Sequence, residues 1–579
     1  MVVEMADIAL ELGSEGAESN NRHIGCQCAQ PDGNAIVLPM TPTEELLDKL
    51  AEFESLKEQG VLTPDTALAL AGRAADLVIE QFYRDRAYLR EAVHLICRIA
   101  TDENSDVARS GITALFPMLV ERLNDSFDPA ACRLYDQLFA QVIDFCRRLP
   151  EGKRLDEGLK RFGLCNETDL LERKLRLPTP DSRLQTPVRV VLLSRVTIGA
   201  DVAVTSAIIA KLRQAMPEAE FVMLGSRKLR ELYGGDARIR IHEIAYERGG
   251  SLISRLTSWL DVVAAVNEER RGFQSDDVWV IDPDSRLTQL GLLPLVENDH
   301  NYFFFESRSY QVRSTAFNRV QSTAFRVQST AFRRQTSDEG DSTVENQPPE
   351  GGTTNTIAEL AAHWSGELIG NSEPSFPFVA LPEEHQELGK RVTNSIRNPQ
   401  SAIRNLVAVS FGVGGNHSKR VSDEFEQQLI EHLLTDSKVL LDKGATEEER
   451  EQINRIVSAV RAAGKTVIEL NESTKLDLPF DLLPQADVVT WDGSIGAFAG
   501  LIAASDQYIG YDSAGQHIAA ALGVKTLTVF VGANNTTFAD RWRPFGGGRV
   551  DVVNAILAMD IVRSNFSGSV VSSPWIFAS

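Results

Sequence analysis

Hydrophobic and polar positions along the chain follow two regimes. From residue 41 to about 178 apolar residues recur at helical spacing. Thr41 before Pro42, with acids close behind, reads as a helix start, and Thr63 before Pro64 reads as another. Residues 67–95, 116–123 and 134–146 keep the same period. The pattern predicts an all-α block of five or six helices. No residue in it points to chemistry, and a packing or partner module is the expectation.

At residue 188 the period changes. VRVVLLS is a continuous apolar, β-branched run, suited to a parallel strand buried on both faces. A glycine turn and a helix over 202–215 follow it, then a strand near 221–225. That is a βαβ unit. Residues 240–244, a helix over 252–270, and strands at 278–282 and 302–306 extend it. A second array starts at 406: strand VAVSFGVGG, helix 424–434, strand 438–442, helix 447–463, strand 466–470 and helix 494–504. Residues 506–523, DQYIGYDSAGQHIAAALG, give a strand, a tight turn and a helix stopped at Gly523, and 525–530 is a last buried strand. The expected fold is α/β: two tandem Rossmann-like, doubly wound domains preceded by a helical domain. The expected boundaries are 1–40 disordered, 41–178 helical, 186–385 for the first α/β domain and 400–579 for the second.

Between 307 and 354 the pattern breaks. VRSTAF at 312–317 recurs as VQSTAF at 320–325 and 327–332. Spacings of 8 and 7 residues are too short for a solenoid unit. A surface-loop expansion is expected there, with a basic arm as the alternative.

The chain has 579 residues, enough for about three to four domains at roughly 100–200 residues each. A net charge of -22 argues against a general nucleic-acid binder, because phosphate neutralisation needs clustered Lys and Arg. A local basic pocket for a phosphorylated small molecule is compatible with it. Six cysteines, mostly scattered through helical segments, suit free thiols in a reducing compartment. Cys26 and Cys28 beside His23 lack a second ligand pair, so no metal is expected. The N-terminus is acidic and no apolar run reaches the ~20 residues of a membrane helix. A cytoplasmic protein is expected, with attachment at the inner membrane surface left open.

The chemistry gathers where strands end. Asp512, Ser513, Ala514 and Gly515 stand between a strand and a helix, where backbone N–H groups make an anion site, and His517 is one turn in. Gly414 and Gly415 would let backbone approach a phosphate, and Lys419 and Arg420 would neutralise it. A carboxylate from Glu447–Glu449, with Glu447 opening the helix, could hold a ribose hydroxyl; acids stabilise a helix start in any case. In the first domain Asp201 follows Gly199 and Ala200, as a candidate general base or as a helix-start acid. GxxxxGK[ST] is absent, so this is no P-loop.

Three blocks resemble glycosyltransferase family 9, the ADP-heptose:lipopolysaccharide heptosyltransferases. They are VRVVLLSRVTIGADVAVTSAIIAKLRQAMPEAEF; SFGVGGNHSKRVSDEFEQQLIEHL with LLDKGATEEE; and SDQYIGYDSAGQHIAAALGVKTLTVFVG with RWRPFG. The resemblance covers about residues 188–546 without the repeat insertion. It implies a metal-independent inverting glycosyltransferase of the GT-B type, with the acceptor on the first domain and the nucleotide sugar on the second. ADP-heptose is the donor the family name carries, the acceptor a glycan or lipid-linked sugar, and no cofactor is implied. A protein partner through the helical domain is a further expectation; a retired, sugar-nucleotide-binding or interaction protein and a related sugar-nucleotide epimerase are the alternatives. In the family an Asp directly after the first-strand glycine is the proposed base; here Ala200 holds that position and Asp201 is one further on. Lys419 matches the basic residue that binds diphosphate. Asp512, Ser513 and His517 match the Asp-Thr/Ser-Gly-x-x-His block, with Ala514 where Gly is usual.

Overall fold

The computed structural model describes residues 41–178, 186–245, 250–312, 355–397, 405–474, 481–532 and 536–555. The expectations for residues 1–40, with His23, Cys26 and Cys28, and for the repeats beyond residue 312 lie outside these.

Two parallel sheets are present. The first holds β1 (Arg189–Leu193), β2 (Glu220–Gly225), β3 (Ile239–Glu243), β4 (Val278–Asp282) and β5 (Tyr302–Phe304) in the order β3-β2-β1-β4-β5. The second holds β6 (Asn405–Ser410), β7 (Ser437–Asp442), β8 (Val467–Asn471), β9 (Val488–Asp492), β10 (Gln507–Tyr511), β11 (Lys525–Val531) and β12 (Val550–Ala555). Its order is β12-β11-β10-β6-β7-β9-β8. In each sheet the chain starts centrally, winds out on one side and returns on the other. The order therefore reverses between β1 and β4 and between β6 and β10, where open α/β sheets bind ligands at the carboxyl ends.

The continuous apolar runs serve two faces at once. Val191 and Leu193 of β1 join the core beneath the helical segment, while Val190 and Leu192 join the core on the other face. Val278 and Val280 of β4 divide from Trp279 and Ile281 in the same way. Helices 42–175 are thus a layer on the first sheet, sharing its core, with Gly158 seated against Trp259 and Leu260. A second cluster runs without a break from the first sheet, through helices Ser206–Ala215, Ile357–Ile369, Glu383–Ile396 and Ile495–Ala503, to the second sheet. The third covers the far face of the second sheet, under helices Asp423–Leu433 and Glu447–Ala462.

Local chemistry sets several boundaries. Thr41, Thr63 and Thr446 each cap a helix in a reciprocal capping box. Pro117 falls inside a π-helical stretch, Ala114–Val120, whose wider turn accommodates the missing N–H. The helix expected over 252–270 is two, Leu252–Thr257 and Trp259–Arg270, with Ser258 between them. Strands β9 and β12 and helix Glu383–Ile396 add to the expected elements. That helix packs glycine to backbone on Ile495–Ala503: a Cβ on Gly389 would lie 2.0 Å from the Gly500 carbonyl oxygen. Among the described residues no helix is long and apolar enough to cross a membrane. Cys97 and Cys146 are free and buried.

Candidate functional site

The two switch points face one another. A Cβ on Gly199, in the loop after β1, would lie 3.2 Å from the Ala514 Cα and 3.3 Å from the His517 Cδ2, in the loop and helix after β10. Any larger residue there would push the two helix starts apart by a few tenths of an ångström.

On the second domain, Lys419 Nζ donates to Asp512 Oδ2 at 2.6 Å, and Gln516 Nε2 donates to Asp512 Oδ1 at 2.8 Å. Lys419 also lies over the Phe538 ring at 5.7 Å. Burial pulls the Lys419 ammonium down, but the charge and hydrogen bond of Asp512 outweigh it and hold its pKa above the usual value. Helix Ala514–Ala521 opens at Ser513, which makes no side-chain cap bond. Gly515 is dictated by packing: a Cβ there would lie 2.1 Å from Tyr508 Oη. His517 is buried, packed edge-on to Trp542 at 6.1 Å, and burial drives its pKa down to about 4. It is therefore a neutral imidazole at pH 7, able to donate one hydrogen bond without carrying charge.

The other expected donor residues lie apart from this pair. Gly414 and Gly415 have φ of 62° and 83° and are exposed, as a glycine turn requires. Their loop already holds an anion of its own. Glu449 Oε1 accepts from Val413 N at 2.9 Å and Gly414 N at 3.1 Å, and Oε2 accepts from Ala445 N at 2.8 Å and Thr446 N at 3.1 Å. Burial would raise this carboxyl; the backbone donors outweigh it and lower its pKa. Arg420 is turned away, bound to Glu426 at 2.9 Å and to Asp423 at 2.5 Å. Glu447 faces solvent, with Arg450 at 3.6 Å. Of the acidic helix start, Glu449 is the buried member and Glu447 is not.

In the first domain Asp201 turns inward. It is 1 % exposed, and its carboxylate accepts from Ser194 Oγ at 2.6 Å, Arg195 N at 2.7 Å and Thr205 Oγ1 at 3.0 Å. Burial raises its pKa to about 6. Residues Asp201–Thr205 form a π turn, the geometry by which a helix absorbs one extra residue. Asp201 here is a positioning group that pins the loop after β1.

That loop and its neighbours hold Arg195 and Arg308, which sequence reasoning passed over, beside the polar loop 282–286 at the end of β4, which it noted. Arg195 is buried, lies over Trp542 at 5.7 Å, and has Asp284 at 3.6 Å; burial lowers its pKa to about 10. Arg308 Nη1 donates to Asp284 Oδ2 at 2.7 Å, and Ser307 Oγ donates to the same oxygen at 2.5 Å. Asp282, its pKa raised to about 6 by burial, accepts from Ser285 N, Thr288 Oγ1 and Tyr302 Oη. Val196 and Asp284 sit at φ of 75° and 69° in the two loops of this switch point. Positive φ is costly for a β-branched residue, and such strain gathers at functional sites. The available signal was the polar composition of the loop after β4; the pairing of Arg195 and Arg308 on Asp284 is tertiary.

No protein-family model matches the chain, and no curated protein matches it. Solved structures do. The chain is similar to a glycosyl transferase of family 9 from Veillonella parvula DSM 2008, at 15 % identity and TM-score 0.41 over 67 % of this chain and 90 % of that one. It is similar to E. coli heptosyltransferase WaaC with ADP, at 17 % identity and TM-score 0.37 over 65 % of this chain and 98 % of that one. E. coli ADP-heptose lps heptosyltransferase II gives 12 % identity and TM-score 0.37 over 62 % of this chain and 89 % of that one. At these values the likeness carries no weight of its own; the two strand orders and the facing switch points do.

Proposed function

We propose that the chain binds a nucleoside-diphosphate sugar on its second α/β domain and transfers the sugar to an acceptor hydroxyl held by the first, as an inverting glycosyltransferase. One observation carries this reading: Gly199 seats the switch point of the first sheet directly on that of the second, beside Lys419, Asp512 and His517. The leaving diphosphate would lie against Lys419 and the start of helix Ala514–Ala521, where an ammonium and oriented backbone dipoles stabilise negative charge. Neutral His517 would donate a hydrogen bond and not a charge. The resemblance of the sequence blocks favours a heptose donor, with ADP as its nucleotide, and a glycan or lipid-linked acceptor.

A second reading, binding without turnover, is favoured by one observation. Ala200 stands where the family has its proposed base, and the Asp201 carboxylate is already held by three donors of its own domain. Release of nucleoside diphosphate from ADP-, UDP-, GDP- and CDP-sugars, with and without sugar acceptors, separates the two. Acceptor-dependent release from one donor supports transfer. Tight donor binding with no release across the acceptors supports the second reading.

A further inference from the structure

The proposed donor site gives the helical segment no role, yet that segment reaches the site. Helix Glu121–Asn124 passes through a turn, residues 124–128, into helix Pro129–Arg147. Ser126 Oγ donates to the Leu123 carbonyl at 2.6 Å and Asp128 N donates to Ser126 Oγ at 3.2 Å. Phe127 is held at a φ of 53°, which a bulky residue adopts only under constraint. The constraint is its ring: Phe127 is 8 % exposed and belongs to the apolar cluster that spans both α/β domains. Arg541 of the second domain lies over it at 6.0 Å.

Acids flank this anchor. Glu121 Oε1 is 3.9 Å from Arg286 Nη2. Asp125 lies within electrostatic reach of Arg308, Lys419 and Arg286, and Glu121 within reach of Lys419. These cations come from both domains. An anionic ligand at the interface would need the same positive groups that the helical segment already faces with carboxylates.

We propose that the turn at residues 124–128 is a built-in competitor for the anionic ligand: Phe127 latches the two α/β domains together while Glu121 meets Arg286 and Asp125 lies within electrostatic reach of Arg308 and Lys419, and a diphosphate binds only when the turn withdraws. The proposal rests on the diphosphate reading of Lys419. A diphosphate brings more charge and more acceptor oxygens than a carboxylate, so exchange favours the ligand once the latch is open. The helical segment then regulates admission to the site.

The test measures equilibrium binding of inorganic pyrophosphate and of ADP, UDP, GDP and CDP to the full chain and to Asp125→Asn, Glu121→Gln and Phe127→Asn. Asparagine tolerates positive φ, so the last variant removes the ring without adding strain. Asp125→Asn and Phe127→Asn are expected to bind pyrophosphate about tenfold more tightly than the unaltered chain, and Glu121→Gln less markedly so. If Phe127→Asn does not fold, the isosteric Asp125→Asn carries the test. Unchanged or weaker pyrophosphate binding in the folded variants overturns the competitor. Tighter pyrophosphate with no binding of any nucleotide keeps the competitor and removes the nucleotide reading.

Discussion

One residue step on a helix rotates a side chain by about 100°, and Ala200 and Asp201 differ by that step. The sequence shows the offset; where it sends the carboxylate is decided by Ser194, Arg195 and Thr205, which close around it. Lys419 and Asp512 lie in the segments that follow β6 and β10, and the structure pairs them at 2.6 Å across 93 residues of chain. Arg420 shows the limit: a charge at a helix start has local partners, and sequence cannot tell whether Asp423 and Glu426, or a ligand, will take it. Asp201→Ala leaves a buried N–H and two hydroxyls without their acceptor and is expected to cost about 1–3 kcal/mol of stability near pH 5. The Asp201 pKa rises from 3.8 to about 6 on folding. An acid so raised gives stability that is full below pH about 4 and lost as pH rises through about 6. The gap between the unaltered chain and Asp201→Ala, read from urea unfolding, should therefore narrow from pH 4 to 7. A gap that widens over that range contradicts the assignment.

Helices and strands with a clean period were read closely: β1, β4, β6, β7 and β10 lie where the apolar runs put them. The expected helix over 252–270 is interrupted at Ser258 alone, whose dihedrals stay helical, a break that periodicity does not register. Among the described residues strand β12 pairs only with β11 at the edge of its sheet, and helix Glu383–Ile396, with acids after Pro382 and Leu388, Val392 and Ile396 at helical spacing, carried a signal that was left unused. The π turn at Asp201–Thr205 carries one residue more than a regular α-turn. Deleting Ala200 should convert it to a regular α-turn and bring Asp201 directly after Gly199, at the interface. Nucleoside-diphosphate release from the preferred sugar donor is expected to rise about tenfold or more over the unaltered chain, the lower end of what a positioned base contributes being larger still. A folded deletion variant with unchanged or lower release contradicts the view that the extra residue removes the base.

At the scale of the molecule the two doubly wound sheets were legible and their coupling to the helical segment was not. Alternation within β1 shows two buried faces, but not that helices 42–175 cover one of them or that Phe127 reaches the interface. Contacts of this kind join residues far apart in sequence and leave no local trace. The central claim is that the facing switch points form a nucleoside-diphosphate site around Lys419. The measurement that tests it most directly is the thermal midpoint of the full chain with ADP, UDP, GDP and CDP, compared with Lys419→Ala and Asp512→Ala. At about 100 times its dissociation constant a ligand adds roughly 2.7 kcal/mol to stability, which is readily seen as a shift. The account predicts that one nucleotide raises the midpoint of the unaltered chain and that both variants, folded in its absence, lose the shift. Equal shifts in the variants, or none with any nucleotide, contradict it.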